Sequence, residues 1–310
     1  MKLIVEPDDG MAPILTAIKQ AKKSIDILIF RLDRGDLARA LEAAVARGVV
    51  VRALTAHTNR GGEKHLRRLE LHLLQQGVTV SRTADDLIRY HGKMMIVDGR
   101  ILHVYGFNFT TLDIEKSRSF GIISRNPTLV QEAAKLFSAD FDRHPYVSGH
   151  QRVIVSPENS RARLADFLKG AKRQLLIYDP GLTDDGMLRI ITAKIKAGVD
   201  VKIIGKVEDK WDLDCWEKYP GKRLHVRAIV RDGQRAFVGS QSLRKLELEK
   251  RREVGVIITD RAVVAEIMSV FARDWADTPA GKKAAKKTLK SLKAGKPLGP
   301  EEKLLAAAAL

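Results

Sequence analysis

The amino-acid sequence is written twice. Val5-Glu6-Pro7 returns as Val155-Ser156-Pro157, AKKSIDILIF from Ala21 as AKRQLLIYDP from Ala171, and ARGVVVR from Ala46 as KAGVDVK from Lys196, all at an offset of 150 residues. HGKMMIVDG from His91 returns as HVRAIVRDG from His225, now at an offset of 134; carried ungapped to Ser124 and Ile258, this alignment holds 10 identities in 34 positions. Repetition on this scale means two copies of one structural unit. The change of 16 in offset places an insertion in the first copy, between Arg52 and His91, where GGEKHLRRLELHLLQQG reads as an extra helix closed by Gly77. The chain of 310 residues therefore divides into halves 1–150 and 151–276 and a remainder, 277–310.

Short β-branched runs alternate with helical ones in each half. KLIVE, SIDILIF and VVVRALT surround LARALEAAVARG, in which Leu37, Leu41 and Val45 fall at helical spacing and Gly48 supplies the stop. The second half repeats this as RVIVS, QLLIYDP and VDVKIIG around MLRIITAKIKAG. Such alternation predicts an α/β fold with a mixed, largely parallel sheet in each half. Next come a strand, an Asp-Gly turn (Asp98-Gly99, Asp232-Gly233) and a second strand, a strong hairpin signal. Each half closes on a helix, NPTLVQEAAKLFSADF or DRAVVAEIMSVFARDW.

The chain has 55 Lys+Arg against 38 Asp+Glu, a formal charge of +17, which favours a polyanionic partner: nucleic acid or an anionic lipid surface. Hydrophobic residues make up 45%, enough for a packed core. The single cysteine, Cys215, excludes an intrachain disulfide framework and a cysteine-cluster metal site. There is no apolar run of about 18 residues and no secretory signal in MKLIVEPDDG, so a cytoplasmic protein, at most peripheral on a membrane, is expected. Residues 277–310 hold eight Lys and three acids, five of the seventeen charges. Ala285, Leu289 and Leu292 form at best a weak apolar face before Pro297 and Pro300, so this stretch reads as a solvated or disordered basic tail.

The chemistry is concentrated in the second repeat pair. His91, Lys93 and Asp98 recur as His225, Arg227 and Asp232. On a strand, positions i and i+2 share a face, so each copy projects an imidazole beside a cation. Packed about a pseudo-two-fold axis, the halves would bring two imidazoles and two cations to one spot. That arrangement suits a phosphodiester: the cations hold the non-bridging oxygens, one imidazole attacks phosphorus, and the other protonates the leaving oxygen. The other six histidines (His57, His65, His72, His103, His144, His150) lack such a context. Asp98 and Asp232 complete the motif but are expected to stabilise the strand and turn rather than touch substrate. No metal-ligand or nucleotide motif occurs, so no cofactor and no metal are expected.

These motifs resemble the signature of the phospholipase D superfamily, H-x-K-x4-D followed by G-S-x-N, over about residues 1–276. The resemblance implies two tandem phospholipase D-like α/β halves with packed sheets and one shared active site, hence a monomer that is an internal pseudo-dimer. It implies a metal-independent phosphohistidine mechanism with His91 as nucleophile and His225 as acid/base. Where the family has G-S-x-N, this chain has Tyr105-Gly106-Phe107-Asn108 and Gly239-Ser240-Gln241-Ser242, so Asn108, Ser240 and Ser242 are the expected phosphate contacts. Arg227 stands in for the usual lysine, a planar fork in place of a point charge. The family also carries a carboxylate about 28 residues after each histidine; Glu253 fills that place in the second half and Ser119 in the first. Glu253 is accordingly expected to orient His225, with Asp113 or Glu115 left to support His91.

Arg118 and Arg252 match between the halves and read as cleft or sheet-edge charges. Trp211 and Trp216 read as a loop beside the cleft or as packing, and Cys215 between them lacks a partner to activate it. The expected activity is hydrolysis or transfer of phosphatidyl groups, of the phospholipase D or cardiolipin synthase kind, on a phospholipid at an anionic membrane surface. A metal-independent nuclease is the alternative, against which an aromatic content of 5% weighs for single strands. A phosphate- or lipid-binding module that has lost turnover is the third reading.

Overall fold

A computed structural model describes residues 1–58 and 63–293. The first half runs β1 (Lys2–Glu6), α1 (Ala12–Gln20), β2 (Ser24–Ile29), α2 (Gly35–Ala46), β3 (Val50–Thr55), α3 (Glu63–Gln75) and β4 (Thr79–Arg82). It continues through β5 (Arg89–Tyr90), β6 (Met94–Val97), β7 (Ile101–Tyr105), α4 (Thr111–Lys116), β8 (Ser119–Ser124) and α5 (Pro127–Asp142). The second half comprises β9 (Val153–Val155), α6 (Ser160–Lys169), β10 (Gln174–Leu182), α7 (Asp185–Lys196), β11 (Asp200–Val207) and β12 (Trp216–Glu217). β13 (Ala228–Arg231), β14 (Arg235–Gly239), α8 (Lys245–Glu249), β15 (Arg251–Arg252), β16 (Val254–Ile258), α9 (Arg261–Ala276) and α10 (Pro279–Lys293) complete it.

Each half forms a seven-stranded mixed sheet, β1-β8-β7-β6-β2-β3-β4 and β12-β11-β10-β13-β14-β16-β9. The parallel part is the flank β2-β3-β4, or β10-β11-β12, fed by the helices between those strands. The remaining pairings are antiparallel, because the Asp-Gly hairpin and the first strand of each half return against their neighbours. Asp98 and Gly99 have φ of 53° and 61°, and Asp232 and Gly233 55° and 65°, the doubly left-handed turn that Asp-Gly favours. The extra helix of the first half is α3, followed by Gly77 at φ 78°; it has no counterpart in the second.

Strand alternation sorts the apolar residues into layers. Along β2, Ile25, Ile27 and Ile29 enter an outer core with α1 and α2, while Leu28 faces inward. Along β10, Leu175 and Ile177 enter the outer core of α6 and α7, while Leu176 and Tyr178 face inward. The inward residues of both sheets, with α5 and α9 between them, form one central core from Leu3 to Trp275. The halves are thus joined by a hydrophobic core rather than by a surface contact.

Two arginines stitch this junction, Arg252 buried and Arg118 half-buried. Arg252 bonds the Ser156 carbonyl at 3.1 Å and Glu158, and reaches Asp140 of α5 in the other half at 3.1 Å. Arg118, its counterpart, donates to the Glu6 carbonyl at 3.2 Å and pairs with Asp274 of α9, also across the junction, at 3.1 Å. The sequence reading of these arginines as cleft or edge charges is therefore corrected: they are interior cross-half ion pairs.

The first part of the basic tail is helical. Residues Pro279–Lys293 form α10, which packs on α9. Buried Thr278 starts it by accepting the Gly281 N–H on Oγ1 at 3.1 Å, and Ala280 N–H donates to Glu217 at 3.2 Å. Lys282, Lys283, Lys286 and Lys287 are exposed, so its basic face is solvated. The side chains of Leu289 and Leu292, and Pro297 and Pro300, lie outside the described residues.

Removing Arg252 leaves Asp140 and Glu158 without their cation. Burial, against the pull of Arg252, already lifts the Asp140 carboxyl to about 7. Arg252→Ala should cost about 3–5 kcal/mol at pH 8, the range for breaking a buried pair. The loss should shrink at pH 6, where Asp140 takes up a proton. Urea unfolding midpoints at the two pH values measure both effects.

Candidate active site

β6 begins just after Lys93 and β13 just after Arg227, so each histidine–cation pair sits in the extended lead-in to a central strand. The backbone of each lead-in is held by the other half. Arg252 O accepts the N–H of His91 at 2.7 Å and of Gly92 at 2.9 Å, and β15 pairs in parallel with β5. Symmetrically, Arg118 O accepts the His225 N–H at 2.9 Å. The approach is close: a Cβ on Gly92 would lie 2.8 Å from a Val254 methyl, so a side chain there would push the halves apart.

His91 is locked through both ring nitrogens. Nδ1 lies 2.9 and 3.0 Å from the two Glu253 carboxylate oxygens, and Nε2 lies 2.9 Å from Lys93 Nζ. A carboxylate on Nδ1 assigns the proton there, so Nε2 carries the lone pair, facing the ammonium. The Phe30 ring meets the imidazole edge-on at 4.6 Å, with Lys93 Nζ 5.3 Å from the ring centre. Burial, then Lys93 and Arg227, hold His91 well below the usual imidazole pKa, so it is neutral at pH 7. Burial also lowers Lys93 to about 7.

The second motif is held differently. Arg227 donates through Nη1 to the His225 carbonyl at 3.0 Å and through Nε to Ser242 Oγ at 3.1 Å. His225 Nδ1 lies 3.4 Å from Asp113 Oδ2 without the geometry of a formed hydrogen bond. Burial, then Arg227, lowers its pKa well below the ordinary value, and Lys93 of the first half adds to this. Arg227 in turn acts on His91, so the two imidazoles and two cations form one electrostatic cluster at the junction of the halves. The site can present a neutral imidazole nitrogen and two cations to a phosphate, with a second imidazole beside them.

A family model described as cardiolipin synthase, PLD-like domain matches residues 14–141 and 164–275. The chain belongs to this phospholipase D-like family. Mitochondrial cardiolipin hydrolase of Homo sapiens is 28% identical over 136 residues, 44% of this chain and 51% of that protein. The Danio rerio protein of the same name is 29% identical over 133 residues, 41% of this chain and 56% of the relative. The phospholipase D-like chain thus spans about half the length of the curated relatives it matches. Among solved structures it shares its fold with polyphosphate kinase from Porphyromonas gingivalis (TM-score 0.73, 18% identity, 88% of this chain and 46% of that one). Phosphatidylserine synthase of Haemophilus influenzae is similar over 87% of this chain and 85% of its own (TM-score 0.64, 12% identity).

Several expectations for this phospholipase D-like site are corrected by its geometry. Glu253 supports His91, not His225, because β15, just before it, pairs with β5 of the other half. Asp113 lies by His225 instead of His91, and Glu115 is at the surface, paired with Arg34. Asp98 and Asp232 sit where they were expected to steady the framework, each at the far end of its strand and away from the histidines. Asp98 accepts the backbone N–H groups of Lys22, Lys23 and Ser24 at 2.6–3.1 Å. Asp232 does the same for Lys172, Arg173 and Gln174 at 2.7–3.1 Å.

The three expected phosphate contacts are largely employed in holding charged neighbours. Ser240 Oγ accepts the Val254 N–H at 3.1 Å, and its one proton is shared between the Val254 carbonyl at 3.3 Å and the Glu253 carboxylate, so no proton is left for a ligand. Ser242 accepts from Arg227 and keeps its own hydroxyl proton for a ligand. Asn108 gives one N–H to Asp113 Oδ2 at 2.7 Å and keeps one. Trp211, Trp216 and Cys215 pack against the outer core of the second half, and burial pushes the Cys215 thiol up to about 11. Sequence reading missed Phe30 and Arg223; the latter holds Asp113 and Ser117 and was visible only as the residue two before His225.

An imidazole whose folded pKa lies below its unfolded value contributes a loss of stability as pH falls below about 6.5, because the unfolded chain takes up the proton first. Replacing both with His91→Asn and His225→Asn should therefore flatten the fall in Tm between pH 7 and pH 5. Nitrogen NMR of the wild type should find His91 protonated at Nδ1 at pH 7, and Glu253→Ala should leave a mixture of tautomers.

Proposed function

We propose that this chain is a phosphodiesterase of the phospholipase D type that cleaves or transfers phosphatidyl groups. The observation that carries the reading is His91, its Nδ1–H committed to Glu253 and its Nε2 lone pair turned towards Lys93, with Arg227 of the other half acting on the same imidazole. A phosphodiester entering this cluster exchanges Lys93 from Nε2 to its own non-bridging oxygens, which frees the nitrogen. Arg227, with N–H groups not used by Ser242 or His225, and the spare protons of Ser242 and Asn108 complete the anion contacts.

Nε2 of His91 then attacks phosphorus, an N–P bond forms, and the P–O bond to the leaving alcohol breaks. His225 donates a proton to that oxygen, its proton affinity raised by the anion between the cations. Water or a second alcohol gives its proton back to His225 and its oxygen to phosphorus, breaking the N–P bond. Glu253 holds the positive charge that His91 carries in between. The relatives' names, cardiolipin hydrolase and phosphatidylserine synthase, favour a phospholipid over a nucleic acid, and the +17 charge fits an anionic lipid surface. No helix among the described residues is long and apolar enough to cross a membrane, which fits a peripheral encounter.

The test is purified full-length chain on cardiolipin and phosphatidylglycerol vesicles and, in parallel, on plasmid DNA with a chelator. Phosphatidic acid or a transferred phosphatidyl product is expected, falling roughly 10³-fold or more in His91→Ala, with labelled phosphate trapped on wild-type histidine. DNA cleavage without lipid turnover would replace the lipid reading with a nuclease. No turnover of either would leave only a binding module.

A further inference from the structure

The pseudo-two-fold axis supplies an internal control for every residue of the site, and one matched pair loses a charge altogether. Glu253, on Nδ1 of His91, is matched 134 positions earlier by Ser119, which has no charge and offers its hydroxyl only to the His225 carbonyl at 3.4 Å. Asp113 is matched by Glu247. Both accept a backbone N–H from the loop before them, Asp113 from Asn108 at 2.8 Å and Glu247 from Ser242 at 2.6 Å. There the likeness ends. Glu247 goes on to pair with Arg251 and acts on His91 only through its charge, because Glu253 holds Nδ1 of that ring, whereas Asp113 Oδ2 stands 3.4 Å from His225 Nδ1.

We propose that Asp113 has taken over the work of the carboxylate missing at position 119, as the positioning residue that orients His225 and holds its charge when it is protonated. This rests on the function proposed above. Asp113 is built for a fixed charge: Thr110 caps the turn on which it sits, its side chain is 2% exposed, and Arg223 grips Oδ1 while bonding Ser117 at 2.7 Å. Burial alone would raise its pKa, but His225, the Asn108 N–H and Arg223 outweigh burial and hold the carboxyl at about 2. Oδ2 already accepts two bonds from Asn108, so at rest the neutral imidazole is only approached. A proton on His225 turns that approach into an ion pair, with Nε2–H left facing the leaving oxygen.

The charged groups facing His225 are Arg227, Arg223 and Lys93, which favour the neutral ring, and Asp113, which favours the cation. Asp113→Asn keeps the shape and removes the charge. It should lower kcat on phosphatidylglycerol about 10²-fold with little change in KM, and shift the alkaline limb of the pH–rate profile to lower pH. A p-nitrophenyl phosphodiester, whose leaving group needs no proton, should lose less than 5-fold. Ser119→Glu in the Asp113→Asn background should restore kcat and the limb by rebuilding the arrangement seen at His91.

An unchanged limb, or equal losses on both leaving groups, would overturn the proposal. Nitrogen NMR of His225 in the resting protein separates it from the functional reading. A ring titration lowered by Asp113→Asn and restored by Ser119→Glu, in a protein that cleaves no phosphodiester, supports the positioning role and sinks the activity. An unmoved titration sinks the role whatever the activity.

Discussion

The structure depends on a backbone exchange between the halves. The carbonyl of Arg252 takes the N–H groups of His91 and Gly92, and the carbonyl of Arg118 takes that of His225. The strand segment that leads into each motif is therefore completed by the opposite half, and the residue after each accepting carbonyl, Glu253 or Ser119, is delivered beside the opposite histidine. The arginines supply both functions of that crossing. Their carbonyls align the histidine backbones and their guanidinium groups lock the crossing to Asp140 and Asp274. A shift of one half against the other would disturb core, ion pairs and catalytic geometry together.

Much of the fold was legible because repetition, period-two alternation and Asp-Gly turns are local properties. The hairpins, the extra helix and the two closing helices follow from short windows of sequence. The proportion of antiparallel pairing did not, since it depends on which strands become neighbours. In the site, the motifs named the imidazoles and cations that the fold gathers at the junction of the halves. What they could not convey was the partner of each. An alignment of one half on the other says that Glu253 corresponds to Ser119, but not that the segment carrying it crosses the axis. The same blindness made Arg118 and Arg252 look peripheral, and it hid Phe30, whose only distinction is its position at the end of β2.

The polar residues after each hairpin show how burial reassigns hydrogen bonds. Ser240, Ser242 and Asn108 follow the motif cations in sequence, and in the folded site each holds a charged side chain. A carboxylate or guanidinium taken out of water needs several partners. The nearest hydroxyls and amides supply them first, and only their leftover protons face the pocket. The tail helix was illegible for a related reason: Thr278 and Gly281 form a helix start whose value comes from the close contact with the end of α9, which lysine content does not reveal.

Fusion of the two copies in one chain changes what mutation can do. In a symmetric pair of identical subunits, every substitution strikes both sides of the axis, so a donor and an attacker must share one compromise sequence. Here Gly92 corresponds to Val226, Lys93 to Arg227, and Glu253 to Ser119. Each side has drifted to its own solution. The covalent link lets the two histidines keep unlike surroundings, Glu253 on one ring and Asp113 near the other, and with that the junction acquires a direction: its two walls cannot be exchanged.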